Sequence, residues 1–170
     1  MLELLVALSV LAVALVGYAK TVGRAMVASR TSREASLANE AARTVIESMR
    51  AESLANVFRM YNDYAGDDIG GIVNPGADFD VAGLEARAGD ADNLPGEVLF
   101  PVTMNAGVPE LRENLVSTDF DMPKDLTGEG TVDAVNHAGN YTMLPLIVRV
   151  RWTVVGGPGE VEFQTILGGY

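Results

Sequence analysis

One acidic stretch, residues 119–133, carries oxygen-bearing side chains at a spacing that suits a divalent cation. In order, the stretch contains Asp121, Asp125, Thr127, Glu129, Gly130 and Asp133. Calcium takes oxygen ligands at alternate positions of a loop that turns at a glycine. The bidentate glutamate that closes an EF-hand would fall at Asn136, so the stretch is not an EF-hand. Two interpretations stay open: a calcium site made by Asp121, Asp125, Glu129 and Asp133, or an acidic turn without a cofactor.

Other site chemistry is sparse in this sequence. The chain has no cysteine and a single histidine, His137, which excludes thiolate metal centres and most histidine-based catalysis. Neither a glycine-rich phosphate loop nor a nucleophile elbow occurs, so we do not expect an enzyme. Asn140, in Asn-Tyr-Thr, is either a glycosylation acceptor or a chance match to that pattern.

Charge is distributed unevenly along the chain. The net charge of the 170 residues is −11, which argues against binding to nucleic acid phosphates. Residues 1–60 hold seven basic and five acidic groups, a balance of +2, whereas the rest holds five basic and 18 acidic groups, a balance of −13. The acidic part is either a solvated surface or a partner for the basic part of another copy.

An uncharged apolar stretch, residues 4–19, follows the first three residues. As a helix, residues 1–19 are about 28 Å long, close to the hydrocarbon thickness of a bilayer. A cleaved secretory signal is the alternative, but Glu3 stands where a basic region is expected and Ala19-Lys20-Thr21 is a poor cleavage site. We therefore expect a membrane-spanning or filament-core helix.

Glu3 lies at the edge of this apolar helix, where an unpaired carboxylate costs several kcal/mol in hydrocarbon. It can reach the headgroups or be stabilised by the positive end of its own helix. The functional interpretation is an ion pair with a cation of another chain, such as a terminal ammonium.

The opening residues, Met-Leu-Glu-Leu-Leu-Val-Ala-Leu, and the polar helix that follows them resemble the type IV pilins and the type II secretion pseudopilins. The resemblance implies that a prepilin peptidase removes a leader, that a leader and two mature residues precede Met1, and that the new N-terminus is methylated. It also implies that Glu3 pairs with the N-terminus of a neighbouring subunit. The helix-kinking proline frequent in that family is missing, and Gly17 and Gly23 are the expected bend positions.

Residues 24–60 contain neither proline nor glycine, and their apolar residues recur at steps of three and four. This pattern predicts an amphipathic stalk helix over 24–62, continuous with the apolar helix of residues 1–23. The alanine-rich part of its apolar side should pack on the chain's own domain. The remaining residues, 63–170, form an acidic head.

Strand patterns occupy the second half of the head. They cover residues 98–104, 143–155 and 160–167, with Arg149 and Arg151 on the face opposite Val148, Val150 and Trp152. Residues 156–159, Gly-Gly-Pro-Gly, predict a hairpin turn, and Pro145 restricts its strand to an edge or a bulge. The predicted fold class is α+β: a long N-terminal helix whose C-terminal half packs on a small antiparallel sheet, as in pilins.

These observations favour a structural subunit of a helical filament related to type IV pili or secretion pseudopili. By the resemblance, its partners are copies of itself, the inner membrane before assembly, the prepilin peptidase and an assembly platform. The expected location is the bacterial inner membrane and then a periplasmic or extracellular filament. Basic residues beyond the apolar helix are expected to assist assembly, namely Lys20, Arg24, Arg30 and Arg33. The alternative is a membrane-anchored monomeric binding domain, with or without a dependence on calcium, and a distant third is an anchored hydrolase.

Overall fold

The computed structural model describes residues 2–70, 74–154 and 157–169. Two helices precede six strands in chain order. They are α1 (Leu2–Ala51), α2 (Leu54–Tyr61), β1 (Asp78–Phe79), β2 (Gly96–Leu99), β3 (Val102–Asn105), β4 (Val108–Leu111), β5 (Met143–Val154) and β6 (Gly157–Gly168). The α+β class predicted from the sequence is confirmed.

Helix α1 has two halves in different surroundings. Residues 2–30 are exposed except for the half-buried Val22, and the apolar part of this half is long enough to cross a membrane. The Ser9 and Thr21 hydroxyls donate to the carbonyls of Leu5 and Gly17 inside the helix, so neither needs a partner from outside. The helix is unbroken through Gly17 and Gly23, and no melted turn appears at these positions.

The second half of α1 packs on the sheet. Its buried side chains, Glu34, Ala38, Ala42, Ile46 and Met49, recur at three- and four-residue steps. They join the inward side chains of β5, namely Leu144, Leu146, Val148, Val150 and Trp152, in one hydrophobic core. The predicted contact of the alanine-rich stripe with the chain's own domain is confirmed. Small side chains at residues 38 and 42 allow close approach of helix and sheet.

The stalk helix is interrupted at Glu52 and Ser53, where the sequence predicted continuity to residue 62. The following short helix, α2, is held by Tyr141, which lies two residues before β5. The Tyr141 hydroxyl accepts the Phe58 N–H at 3.1 Å and donates to the Leu54 carbonyl. It thereby fixes the first turn of α2 to the segment that leads into β5. Burial raises the pKa of Tyr141 to about 12, so the hydroxyl stays protonated.

The main sheet has the order β1-β2-β5-β6 with antiparallel neighbours, and β3 and β4 form a separate hairpin. The predicted terminal hairpin is confirmed as β5 and β6, with Val154 opposite Gly157. Gly157, Pro158 and Gly159 belong to β6 and not to the turn as predicted; Val155 and Gly156 lie outside the described residues.

Two prolines explain the remaining strand boundaries. Pro101 follows Phe100 where the predicted strand 98–104 divides into β2 and β3, because proline has no N–H to continue a ladder. Pro145 pairs with Ile166 of β6 beyond the last β2 pair, Leu99 with Ile147, so β5 has one neighbour there. The edge position predicted for Pro145 is confirmed.

The outer face of the sheet carries an ion-pair network. Arg149 contacts Glu162 at 2.9 Å and Glu160 at 3.5 Å, and Arg151 contacts Glu97 at 3.2 Å. Glu97, Arg149 and Glu162 are direct neighbours across three strands. The predicted division of β5 into an arginine face and an apolar face is confirmed.

We predict that Tyr141→Phe lowers the free energy of unfolding by about 1–3 kcal/mol, since the Phe58 N–H and the Leu54 carbonyl lose their bridging partner. Urea unfolding of the full chain in detergent, followed by the fluorescence of the single Trp152, measures the change. Tyr18→Phe removes the same atom from an exposed side chain and serves as the matched control. Equal stabilities of the two variants would contradict a structural role for the Tyr141 hydroxyl.

Candidate functional site: the braced distal loop

Residues 112–142, called the distal loop here, connect β4 to β5 around a buried carboxylate. Glu113 is 1% exposed. Its Oε1 accepts the Leu126 N–H at 2.7 Å, the Thr127 N–H at 3.1 Å and the Thr127 hydroxyl at 3.2 Å. Its Oε2 accepts the Asp133 N–H at 3.2 Å. A buried carboxylate tolerates a low dielectric when donors surround it, so Glu113 holds three points of the loop together.

Asp125 closes the turn that the sequence marked as a calcium loop. Its Oδ1 accepts the Gly128 N–H at 2.6 Å, and its Oδ2 accepts the Gly130 N–H at 2.6 Å. Both glycines have positive φ, 82° and 84°, which lets the backbone curl around the carboxylate. The hydrogen bond from the Gly130 N–H is the largest cause of the lowered pKa of Asp125. Partial desolvation acts against it, and the hydrogen bond from the Gly128 N–H lowers the pKa further.

The structure does not bring the four predicted calcium ligands together. Asp121 pairs with Lys124 at 3.0 Å, Asp125 faces its own turn, and Glu129 is exposed. Among the described residues, ligand atoms converge at a different group: one atom each of Glu113, Asp133 and His137 lie within 4.8 Å of one another. The geometry favours the acidic turn over the calcium site.

The convergent group also fits an internal brace better than a metal site. His137 is 5% exposed, with Nε2 2.9 Å from Asp133 Oδ1 and Nδ1 3.1 Å from Asn140 Oδ1. Both ring nitrogens therefore face oxygen acceptors, and both Glu113 oxygens already accept N–H groups. A cation would have to displace these bonds before it found a ligand.

The surroundings of His137 raise its pKa. Burial acts to lower the pKa of His137, but hydrogen bonds to Asp133 and Asn140 and the negative charges of Glu113 and Asp133 outweigh it. The pKa consequently lies above its ordinary value of 6.5. The hydrogen bond to His137 in turn lowers the pKa of Asp133.

Sequence reasoning missed Glu113 and the brace it makes with His137. An isolated glutamate twelve residues before Asp125 carries no local signal, because its partners are backbone N–H groups that only the folded loop presents. The exposed Asn140 accepts a hydrogen bond at Oδ1, and the glycosylation of its amide stays a prediction.

A second acidic group lies where β1 meets β2. Asp78 is directly opposite Glu97 in register. The Asp92 side chain is within hydrogen-bonding reach of Asp78. Burial, followed by the hydrogen bond and charge of Asp92, raises the pKa of Asp78 to about 6. Of the two carboxyl groups, Asp78 therefore binds a proton first as the pH falls, since the pKa of Asp92 is lowered.

The residues predicted to assist assembly lie along the exposed half of α1. Glu3 is in its first turn, and Lys20, Arg24 and Arg33 are exposed. Arg30 is already used within the chain: its Nε lies 2.7 Å from Oε1 of Glu34, whose side chain is 9% exposed. The other carboxylate oxygen of Glu34 is buried without a hydrogen-bond donor among the described residues. Arg30 therefore stabilises a buried acid, and its reversal would disturb folding as well as any assembly.

We predict that Glu113→Gln destabilises the protein by about 1–3 kcal/mol, because the amide places donors against the N–H groups that the carboxylate accepts. Urea unfolding in detergent measures the loss, with exposed Glu129→Gln as the control for charge removal from the same loop. A Glu113→Gln variant as stable as the control would contradict the brace.

We also predict a pH dependence caused by His137. Because its folded pKa is raised, its contribution is full below about 6.5, the unfolded value, and is lost as the pH rises through the folded value. The free energy of unfolding should therefore fall as the pH rises above 6.5, and His137→Gln should flatten this fall. The titration of Asp78, which spans 3.8 to about 6, lies below this window. Parallel curves for the two proteins would refute the assignment.

The chain shows little similarity to known proteins. No protein-family model matches the chain, and no solved structure matches it significantly. Among curated proteins, the chain is similar to the LexA repressor of Mycolicibacterium paratuberculosis (strain ATCC BAA-968 / K-10), with 33% identity over 82 residues. The match covers 47% of this chain and 35% of the relative, so the chain spans about a third of that relative's length.

Proposed function

We propose that this protein is a structural subunit of a membrane-derived helical filament of the type IV pilus or secretion pseudopilus kind. The carrying observation is α1 itself: one unbroken helix whose apolar first part is exposed and whose last part is fixed in a folded head. Copies would reside in the inner membrane through residues 1–23 and then polymerise into a periplasmic or extracellular filament.

The apolar part of α1 needs a cover. Its large side chains include Leu2, which is 79% exposed, and Val13, which is 74% exposed. Burial of each such side chain contributes about 1.5–3 kcal/mol, so the segment is unstable in water and stable in lipid or among other copies. Exchange between these two environments is a route from membrane to filament, since both bury the same surface.

Polymerisation requires unlike surfaces to meet. Parallel copies shifted along the helix axis make heterologous contacts, and such contacts do not close, so they generate a fibre. Glu3 would fix how neighbouring copies are placed at the apolar end. A carboxylate in that environment is stabilised when it pairs with a cation of the next copy, most simply its terminal ammonium. In this proposal the protein has no catalytic role and needs no resident cofactor.

Two other functions are less well supported. A membrane-anchored monomeric binding domain shares the helix and the head but offers Glu3 no cation of another copy. A repressor function, suggested by the name of the similar protein, would require contact with nucleic acid, which the net charge of −11 opposes. Negative-stain microscopy of sheared surface material separates these functions from the proposal, since only a filament subunit gives fibres that contain this chain.

We predict that Glu3→Val leaves the protein inserted in the membrane but lowers filament yield at least about tenfold, since an ion pair that is lost from an apolar environment is worth more than 1.4 kcal/mol. Ser9→Val is the matched control: it changes one polar residue of the same helix to valine and removes only an internal hydrogen bond. Quantitative microscopy and membrane fractionation of both variants measure the effect. Wild-type yield from Glu3→Val would exclude the pairing role.

A further inference from the structure

The part of α1 just beyond the apolar segment, residues 20–31, is called the collar here, and most of its side chains are exposed. Successive residues of a helix turn by about 100°, and this phase places Lys20 and Arg24 within roughly 40° of the direction in which Ala38, Ala42 and Met49 hold the head. Lys20, Arg24 and Val27 therefore lie on the same side of α1 as the head of their own copy, but nearer the N-terminus. Val27 is 41% exposed, and neither Lys20 nor Arg24 has an acidic partner among the described residues.

The distal loop has the complementary character and lies at the other end of the head. Within the loop, the Leu126 carbonyl accepts the N–H groups of Thr142 and Met143. Met143 begins β5 and pairs with Gly168 of β6. Gly168 lines a cleft with Met49 near the C-terminal end of α1. The distance along the axis from Arg24 to Met49 is about 38 Å at 1.5 Å per residue.

Charge and apolar surface agree between the collar and the distal loop. The loop carries six acidic and two basic residues, a net charge of −4. Asp119 and Glu129 are exposed and lack a cationic partner among the described residues. Three valines of the loop are also exposed, namely Val116, Val132 and Val135. The Glu113 brace holds these groups in place, so little conformational entropy is lost when they bind.

We propose that the distal loop of one copy docks on the collar of a second copy shifted by about 40 Å along the helix axis. Asp119 and Glu129 approach Lys20 and Arg24, and the loop valines pack near Val27. The assignment rests on the proposed function in one respect: it takes the two copies to have parallel helices. The proposed contact adds to that function two surfaces outside the apolar segments, the distal loop and the collar, through which neighbouring copies meet.

An anionic lipid surface is the competing partner for the collar cations. Val27 lies about 10 Å beyond Lys20 along the helix, whereas the headgroup layer is about 5–8 Å thick on each side. Lipid therefore leaves Val27 and the loop valines in water, and a second copy covers them. This difference favours the second copy.

Cysteine cross-linking tests the contact directly, because the chain has no cysteine of its own. Ala28 lies toward the head side of the collar and Ala134 lies between two exposed valines of the loop. Oxidation of full-length Ala28→Cys/Ala134→Cys in membranes should give a ladder of multimers, since each copy offers both surfaces. Ser29→Cys/Ala134→Cys is the control, because residue 29 turns to the opposite side of α1.

Charge reversal then tests the chemistry of the contact. Lys20→Glu/Arg24→Glu should lower the ladder yield about fivefold or more, given two ion pairs of up to about 1 kcal/mol each. Adding Asp119→Lys/Glu129→Lys should restore it. Arg43→Glu/Arg50→Glu, an equal charge change at exposed residues of α1 outside the collar, should leave the yield unchanged.

The outcomes separate this contact from the proposed filament. Filaments without the residue 28–134 ladder overturn the contact and leave the filament standing. A ladder without filaments supports the contact and overturns the filament. A ladder of equal yield from the residue 29 control, or one insensitive to Lys20→Glu/Arg24→Glu, overturns the contact and assigns the collar cations to lipid.

Discussion

The structure depends on one constraint: a single helix must satisfy two environments. Its C-terminal half buries Ala38, Ala42, Ile46 and Met49 against β5 and β6, and this contact fixes the head to the helix. Its N-terminal half presents apolar side chains in every direction and finds no cover within the described chain. Lipid or other copies can supply the free energy of covering that half, and this supports the proposed assembly.

Buried acids show a second principle. Glu113 and Glu34 are both almost completely buried, yet they are stabilised differently. Glu113 accepts backbone N–H groups of its own loop and so braces the distal loop, with the His137 ring nearby. Glu34 relies on the partly exposed Arg30 and keeps one oxygen without a donor. Glu113 thus braces a loop, whereas Glu34 links Arg30 of the collar to the point where α1 begins to pack on the head.

The calcium pattern illustrates how one spacing can serve two purposes. Alternate oxygen side chains and a glycine at the sixth place suit a loop that curls around a cation, but they equally suit a loop that curls around one of its own carboxylates. Here Asp125 occupies the centre of the turn, and the N–H groups of Gly128 and Gly130 point at it. An acidic surface remains on the outside, where Glu129 is exposed.

The sequence by itself determined the features that depend on local pattern. The length and apolarity of residues 4–19, the helical period of 24–60 and the alternation in β5 follow from side-chain types, so the helix, the hairpin and the α+β class could be predicted. The attachment of α2 to the head could not, because it depends on Tyr141, about 85 residues away, whose hydroxyl bonds Leu54 and Phe58. Glu113 and His137 gained their roles only through backbone groups and side chains of a folded loop. Long-range hydrogen bonds decided these points, since their partners have no fixed spacing in the chain.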